Sequence, residues 1–311
     1  MRAVVITGAD GFIGSHLVQH LAKQGILVYA IVLNESKTRF RVEGLQNVNV
    51  VAAAPEDYMS LCSILPMEPD AFIHLAWDGV APEKRNSTEK QSKNISCAFS
   101  AVRLAATIRA GRFILPGSTA EYMNSGTVIN EKTLPSPQNA YGSAKIAVRY
   151  LCRSLCDELG IPFVYAVITG IYASDRTDNN VIYYAISNLL AGKKPSFTKL
   201  EQLWDYVHID DVVRAFACIA EKGKDGAFYA IGHGDNWPLR NYIYQIRDII
   251  NPSLPLGIGE IPYTGGSLPI SCVDLTALRR DTGFEPVVSF EAGIRDVIAK
   301  VAEQMNNKEN L

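Results

Sequence analysis

The chain reads as an α/β protein built on a doubly wound parallel sheet, with a smaller C-terminal α/β domain that would take the substrate. Three observations predict this. Short, continuous apolar runs of strand length recur through the first half, as expected of strands covered on both faces. Segments with apolar residues at helical spacing lie between them. A glycine-rich turn, TGADGFIG (7–14), joins the first apolar run to the first such helix.

Taken in order, AVVIT (3–7) is the first buried strand. HLVQHLAKQG (16–25) puts Leu17, Leu21 and Ala22 on one helical face, and Gly25 is placed to end it. ILVYAIVL (26–33), VNVV (48–51), AFIHLA (71–76) and RFILPG (112–117) read as further strands. A helix over roughly 88–110, carrying Asn94, separates the last two, and a second long helix carries Tyr141 and Lys145 to about Gly160. PFVYAVI (162–168) is the next buried strand. This alternation predicts parallel strands joined by right-handed crossovers.

After Tyr172 the rhythm changes. A helix, VIYYAISNLLAG, falls within 174–204; HIDDVVRAFACIAEKG reads as a helix on the sheet and AFYAIG (227–232) as a short strand. From 235 onward prolines, glycines and short helices prevail. The expected division is a nucleotide-binding domain of 1–172 with 205–232, and a smaller domain of 173–204 with 233–311.

Composition narrows the function. The 311 residues are 48% hydrophobic and 20% charged with a net charge of −2, which gives no electrostatic case for nucleic acid or an acidic membrane. No apolar stretch is long enough to span a bilayer, and no cleavage pattern follows MRAVVITGAD, so a cytoplasmic location is expected. Cys62, Cys97, Cys152, Cys156, Cys218 and Cys272 form no CxxC pair and read as buried thiols. His16 and His20 share a helical face without a third ligand, so no metal site is expected.

Gly8, Gly11 and Gly14 have the spacing GxxGxxG. Glycine permits the tight turn, close backbone approach to a pyrophosphate and tight helix–strand packing. Phe12, Ile13 and Gly14 open the helix, whose first N–H groups are free to meet an anion. Placed between a buried strand and an amphipathic helix, this predicts a dinucleotide. A carboxylate at the tip of the second strand would bind the ribose 2′-hydroxyl of NAD, but the tip reads IVLN and ends in Asn34. Glu35 follows, then Lys37, Arg39 and Arg41, cations able to meet a 2′-phosphate or simply to face solvent. NADP is the expected cofactor and NAD the alternative.

In NAYGSAKIAVRY (139–150), Tyr141 and Lys145 stand four apart, a spacing that any helix brings onto one face. Context decides its meaning. TGADGFIG, HLAW, GSTAEY, YGSAK, WDYVHIDDV and TGFEP occur in an order that resembles the extended short-chain dehydrogenase/reductase family across nearly the whole chain. More narrowly, it resembles the NAD(P)-dependent sugar-nucleotide epimerase/dehydratase branch, closest in look to reductases of nucleotide-linked 4-keto-6-deoxyhexoses.

The resemblance implies a Rossmann-type sheet and a site. Tyr141 would be the acid/base on the substrate C–O group, and Lys145 would hold the cofactor ribose and lower the tyrosine pKa. Ser118 would bind the same oxygen, with Thr119 as its substitute. Leu75 and Ala76, after His74, would lie beside the cofactor. Asn94 would support the lysine, unless it is an exposed helical Asn; His74 is a cofactor neighbour or a satisfied core histidine. Trp77, Asp78, Lys84 and Arg85, in the loop after the fourth strand, are candidate substrate contacts; Asn179 and Asn180 would meet the nucleotide phosphates or cap the helix they precede.

Departures from the pattern choose among activities. Family dehydratases carry an acid pair directly after the catalytic hydroxyl, where Thr119 and Ala120 stand here. Glu121 comes one place late and reads as turned aside, ion-paired or solvated. Many epimerases place an Arg where Trp204 stands, which removes one diphosphate contact; Lys199, Arg279 or Arg280 are candidates to replace it. Ala53 occupies the place of an acidic residue near the adenine. Reduction of a nucleotide-diphosphate sugar at its C4 ketone is therefore expected, ahead of 4-epimerisation or non-catalytic cofactor sensing. A homodimer through the helices near 90–110 and 141–159 is usual for the family.

Overall fold

The computed structural model describes residues 1–176, 180–263 and 269–309. The nucleotide-binding half runs β1 (Ala3–Thr7), α1 (Phe12–Lys23), β2 (Leu27–Val32), β3 (Val48–Ala52), β4 (Ala71–His74), α2 (Thr88–Thr107), β5 (Phe113–Ser118), α3 (Ala140–Leu159) and β6 (Phe163–Ile168). Then come β7 (Gly170–Tyr172), α4 (Val181–Leu190), β8 (Ser196–Phe197), β9 (Leu203–Trp204), β10 (Tyr206–His208), α5 (Ile209–Lys222) and β11 (Phe228–Ile231). The chain finishes with β12 (Trp237–Pro238), α6 (Leu239–Ile250), β13 (Gly257–Ile258), α7 (Thr276–Thr282) and α8 (Phe290–Glu309).

Seven strands form one sheet in the order β11-β6-β5-β4-β1-β2-β3, every pairing parallel. The chain starts in the middle, winds outward through β2 and β3, then returns across β1 to build the other half. That reversal between β1 and β4 opens a crevice at the carboxyl ends of the strands, where doubly wound sheets bind ligands. The strands are apolar throughout because both faces are covered. One face packs Leu17, Val18 and Leu21 of α1 against Val212, Phe216 and Ile219 of α5, and the other packs Val102 and Leu104 of α2 with Val148 and Cys152 of α3.

A third apolar cluster draws Ile182, Ile186 and Leu189 of α4, Tyr242 and Ile246 of α6, and Phe290, Ile294 and Val301 of α8 around Tyr172 and Tyr206. The sequence suggests only short helices beyond 235, yet α8 has 20 residues. Gly293 blurs its pattern, and packing supplies the reason for that glycine: a Cβ there would lie 2.6 Å from the Tyr172 hydroxyl. All six cysteines are free thiols, three of them buried. Among the described residues no helix is long and apolar enough to cross a membrane, and no cluster of three or more His, Cys, Asp or Glu is placed to hold a metal.

Candidate active site

The phosphate loop is shaped by contacts that only glycine allows. Gly8 has φ +64, and a Cβ there would sit 2.7 Å from Cα and N of Ala76 and 2.9 Å from the carbonyl carbon of Leu75. The loop after β1 is thus pressed against the end of β4, bringing Leu75 and Ala76 beside the glycines. A Cβ on Gly14 would lie 2.2 Å from the Gly8 carbonyl oxygen, so the first turn of α1 folds back tightly on the loop. Gly11 is the N-cap of α1; no side chain caps this end and no acidic residue stands in its first turn. Phe12, Ile13 and Gly14 therefore open α1 with a positive dipole end turned to the crevice. These features fit a pyrophosphate.

The loop after β2 is fastened to the phosphate loop. The hydroxyls of Ser36 and Thr38 both donate to the carboxylate of Asp10, Thr38 at 3.0 Å. Asn34 and Glu35 beyond the strand tip are exposed. Arg39 lies 3.4 Å from Glu43, a half-exposed pair.

Ser118 ends β5 and opens a tight turn over Thr119–Glu121. Its hydroxyl accepts the Ala120 N–H at 3.2 Å, and its own N–H donates to Oε1 of Glu121 at 2.7 Å. The next element, α3, is capped by Asn139, whose Oδ1 accepts the Gly142 N–H at 2.9 Å. A Cβ on Gly142 would be 2.4 Å from the Ala120 carbonyl oxygen, so the glycine lets the start of α3 close onto this turn. As a result the start of α3, which carries Tyr141, is pressed against the turn that Ser118 opens.

Tyr141 is buried, and that burial pushes its pKa up to about 12. Ser118 and the Arg85 guanidinium pull the other way, while Glu121 adds to the rise. The Arg85 guanidinium, 5.7 Å from the ring centroid, and the Lys145 ammonium, at 5.9 Å, both stand beside the phenol, and desolvation outweighs the cations.

Lys145 is buried too. Its ammonium donates to the Pro116 carbonyl at 3.0 Å and sits 3.6 Å from the centroid of the Trp77 ring. Burial pulls its pKa down to about 7, with Glu121 opposing. Trp77 meets Tyr141 edge-on at 6.0 Å and donates from Nε1 to Gln91 at 3.0 Å. Gln91 also donates to the Gly79 carbonyl, and Asn94 grips both backbone groups of Asp78, accepting its N–H at 2.9 Å and donating to its carbonyl at 2.7 Å. Asn94 is therefore not an exposed helical residue: it fixes the loop that carries Trp77 over the lysine. His74 is buried beneath, sharing a 2.7 Å hydrogen bond with Thr7, and burial with the nearby Lys145 holds it neutral, its pKa about 3.

The remaining candidates lie farther out. Thr119 is engaged by Ser271 at 3.0 Å. Asn180 caps α4, its Oδ1 accepting the Tyr183 N–H at 3.0 Å; Asn179 lies outside the described residues. Trp204 is half-buried in β9, where it pairs with Trp237 and tilts against Tyr206. Lys84 is exposed, and Asp78 is ion-paired to Lys90.

Glu121 is a correction. It is neither solvated nor ion-paired at the surface: it is fully buried, with Oε1 bound by the Ser118 N–H and, at 2.8 Å, by the Tyr165 hydroxyl. Gln91 and Tyr165 are the residues that sequence reasoning passes over. A glycine before Ser118 was the available signal, because a Cβ on Gly117 would strike Tyr165 at 2.6 Å and Glu121 at 2.8 Å.

A phosphate-binding loop and a Ser–Tyr–Lys trio on a doubly wound sheet define a dinucleotide-dependent enzyme of the extended short-chain dehydrogenase/reductase class. Residues 4–232 match the model of the NAD dependent epimerase/dehydratase family, and the chain belongs to that family. It is 23% identical to the dTDP-glucose 4,6-dehydratase of Salmonella typhimurium, over 95% of this chain and 91% of that one. It is 27% identical to the dTDP-D-glucose 4,6-dehydratase of Dictyostelium discoideum, over 75% of this chain and 58% of that one. Among solved structures, UDP-N-acetylglucosamine 4-epimerase from Methanobrevibacter ruminantium superposes with a TM-score of 0.83 at 21% identity, covering 98% of this chain and 99% of that one. UDP-glucuronic acid 4-epimerase from Bacillus cereus, determined with NAD, gives 0.82 at 20% identity over 97% and 99%.

Proposed function

We propose that the protein is an NAD(P)H-dependent reductase acting on the C4 ketone of a nucleotide-linked 4-keto-6-deoxyhexose. The observation that carries this is the carboxyl of the turn after Ser118: Glu121 is buried under the site and hydrogen-bonded away from the crevice. Thr119 and Ala120, which follow the hydroxyl directly, offer no acid pair with which to expel water from a sugar.

The bound nicotinamide would supply the hydride. The chain's own part is to bind, orient and protonate. The open N-terminus of α1 and the glycines at 8, 11 and 14 would hold the pyrophosphate, with Leu75 and Ala76 alongside. Ser118 would donate to the substrate oxygen, and Tyr141, a protonated phenol at neutral pH, would hand that oxygen its proton. Lys145 would bind the cofactor ribose from under Trp77. Trp77, Arg85, Asn180 and Trp204 are proposed substrate contacts. NADP is proposed over NAD because β2 leads into Leu33 and Asn34 without a carboxylate, with Lys37 and Arg39 beyond.

Testing requires purified protein, NADPH or NADH, and a panel of 4-keto sugar nucleotides followed at the reduced-nicotinamide absorbance band. Substrate-dependent oxidation supports the reading. A second reading, NAD-dependent 4-epimerase, uses the same three side chains and is the activity named for several structurally similar proteins. Tightly co-purifying NAD with sugar interconversion and no net oxidation would favour it. A homodimer through α2 and α3 is also proposed, since Tyr150, Leu151 and Leu159 are exposed on α3.

A further inference from the structure

Lys145 carries an amine taken almost wholly out of water: it is 5% exposed, and among the described residues no carboxylate stands at ion-pair distance from it. An ammonium is costly to bury unless its donors and its charge are met on the spot. Two contacts meet them. One N–H donates to the Pro116 carbonyl at 3.0 Å, and the nitrogen sits over the Trp77 indole, 3.6 Å from the ring centroid. The face of an indole is the negative part of its quadrupole and attracts a cation. Because an ammonium has three N–H donors and no acceptor, a carbonyl and a π face leave one direction for a further partner.

The indole is itself fixed from several sides. Its Nε1 donates to Gln91 at 3.0 Å, and Gln91, only 2% exposed, donates in turn to the Gly79 carbonyl at 3.1 Å. Gly79 has φ +81, and a Cβ there would stand 3.0 Å from Nε2 of Gln91, so glutamine and turn fit closely only at a glycine. Asn94, three residues after Gln91 on the same face of α2, grips both backbone groups of Asp78. Packing alone would ask for one acceptor for the indole N–H. Here the acceptor is fixed as well, and so is the backbone that carries the ring. The ring thus held presents its face to Lys145 and meets Tyr141 edge-on, at 6.0 Å and 85°.

We propose that Trp77 is a positioning residue for the cofactor: its indole face, locked by Gln91, serves the buried ammonium in place of a counter-charge and aims the remaining Lys145 N–H at the nicotinamide ribose. This is a role separate from any contact Trp77 makes with the sugar. The inference rests on the proposed role of Lys145 toward that ribose.

The test is a double-mutant cycle on Trp77→Leu and Lys145→Met, read as affinity for NADPH, and separately for NADH, with no sugar nucleotide present so that substrate contacts cannot contribute. Trp77→Leu should bind the reduced cofactor about 3- to 30-fold more weakly than wild type, the range of a cation–π contact from exposed to desolvated. In the Lys145→Met background the same change should alter affinity by no more than about twofold, because the indole then has no ammonium to orient. An equal loss in both backgrounds would make Trp77 a wall of the cofactor pocket or a prop of the fold, and would overturn the inference alone. Wild-type affinity in Trp77→Leu would do the same. Lys145→Met that binds both nucleotides as wild type does overturns the reading of Lys145 and this inference with it. If Trp77→Leu fails to fold, Trp77→Phe, which keeps a weaker π face and drops the bond to Gln91, takes its place in the cycle under the same criterion.

Discussion

Gly14→Ala separates folding from cofactor binding. The added Cβ would stand 2.2 Å from the Gly8 carbonyl oxygen and 2.9 Å from two backbone atoms of Ala9. That is roughly 1 Å inside an ordinary carbon–oxygen contact, and the opposing atoms are backbone, so the phosphate loop must move. Overpacking of this kind costs about 1–3 kcal/mol, while Ala in place of Gly in a helix returns up to about 1 kcal/mol. The net loss is about 0–3 kcal/mol, or about 5 °C at most in melting temperature for a chain of this length. Binding should suffer more. An N–H displaced by about 1 Å from a phosphate oxygen forfeits a charge-assisted hydrogen bond of about 1.5–3 kcal/mol, which predicts NADPH affinity weakened at least tenfold. Calorimetry and NADPH fluorescence titration read the two quantities. Gly25→Ala is the control: with φ +79 and no atom within 4 Å of its Cβ, it should lose about 1 kcal/mol of stability and bind normally. Wild-type affinity in Gly14→Ala, or equal binding loss in both variants, would refute the reasoning.

Tyr141→Phe should reduce turnover on the true substrate by about 10²–10⁴-fold and leave NADPH binding within a few-fold of wild type, as steady-state kinetics and titration would report. Gln91→Ala removes the anchor of the Trp77 indole; with Trp77 free to swing off Lys145, its fluorescence should shift and KM should rise more than kcat falls. Asp205 is fully buried, and burial pushes its pKa up to about 7 against the His233 and Gly234 N–H groups that favour its charge. Its folded pKa exceeds the unfolded one, so the native state holds the extra proton between about pH 4 and 7. Stability should therefore fall as pH rises through that window, by of order 2–4 kcal/mol, and chemical denaturation of Asp205→Asn should give a shallower slope. Size-exclusion chromatography with light scattering checks the dimer, and Leu151→Glu, on the exposed face of α3, should yield monomer.

What the sequence disclosed was local. The glycine loop, the buried strands and the spacing of Tyr141 and Lys145 lie within stretches whose neighbours in sequence are neighbours in space, and the parallel sheet follows from their alternation. Glu121 was illegible because its partners come from β6, 44 residues away, and no periodicity in GSTAEY distinguishes a carboxyl facing the sheet from one facing water. Asn94 was ambiguous for the same reason: its helix has a moderately polar pattern, and only the packed loop after β4 reveals which face is buried. The tyrosine's raised pKa was not legible because the depth of burial that outweighs the neighbouring cations is a property of the assembled site.

The hydroxyls of Ser36 and Thr38 on Asp10 bear on how the enzyme's cofactor choice could be altered. The segment expected to discriminate between the two nicotinamide dinucleotides is stitched to the turn proposed to cradle their shared pyrophosphate. Selectivity and baseline affinity are therefore not separate dials. Exchanging residues 34–39 wholesale would release Asp10, leave a charge without its donors and loosen the cradle for both nucleotides. A successful swap would keep Ser36 and Thr38 and alter only Asn34, Lys37 and Arg39 around them.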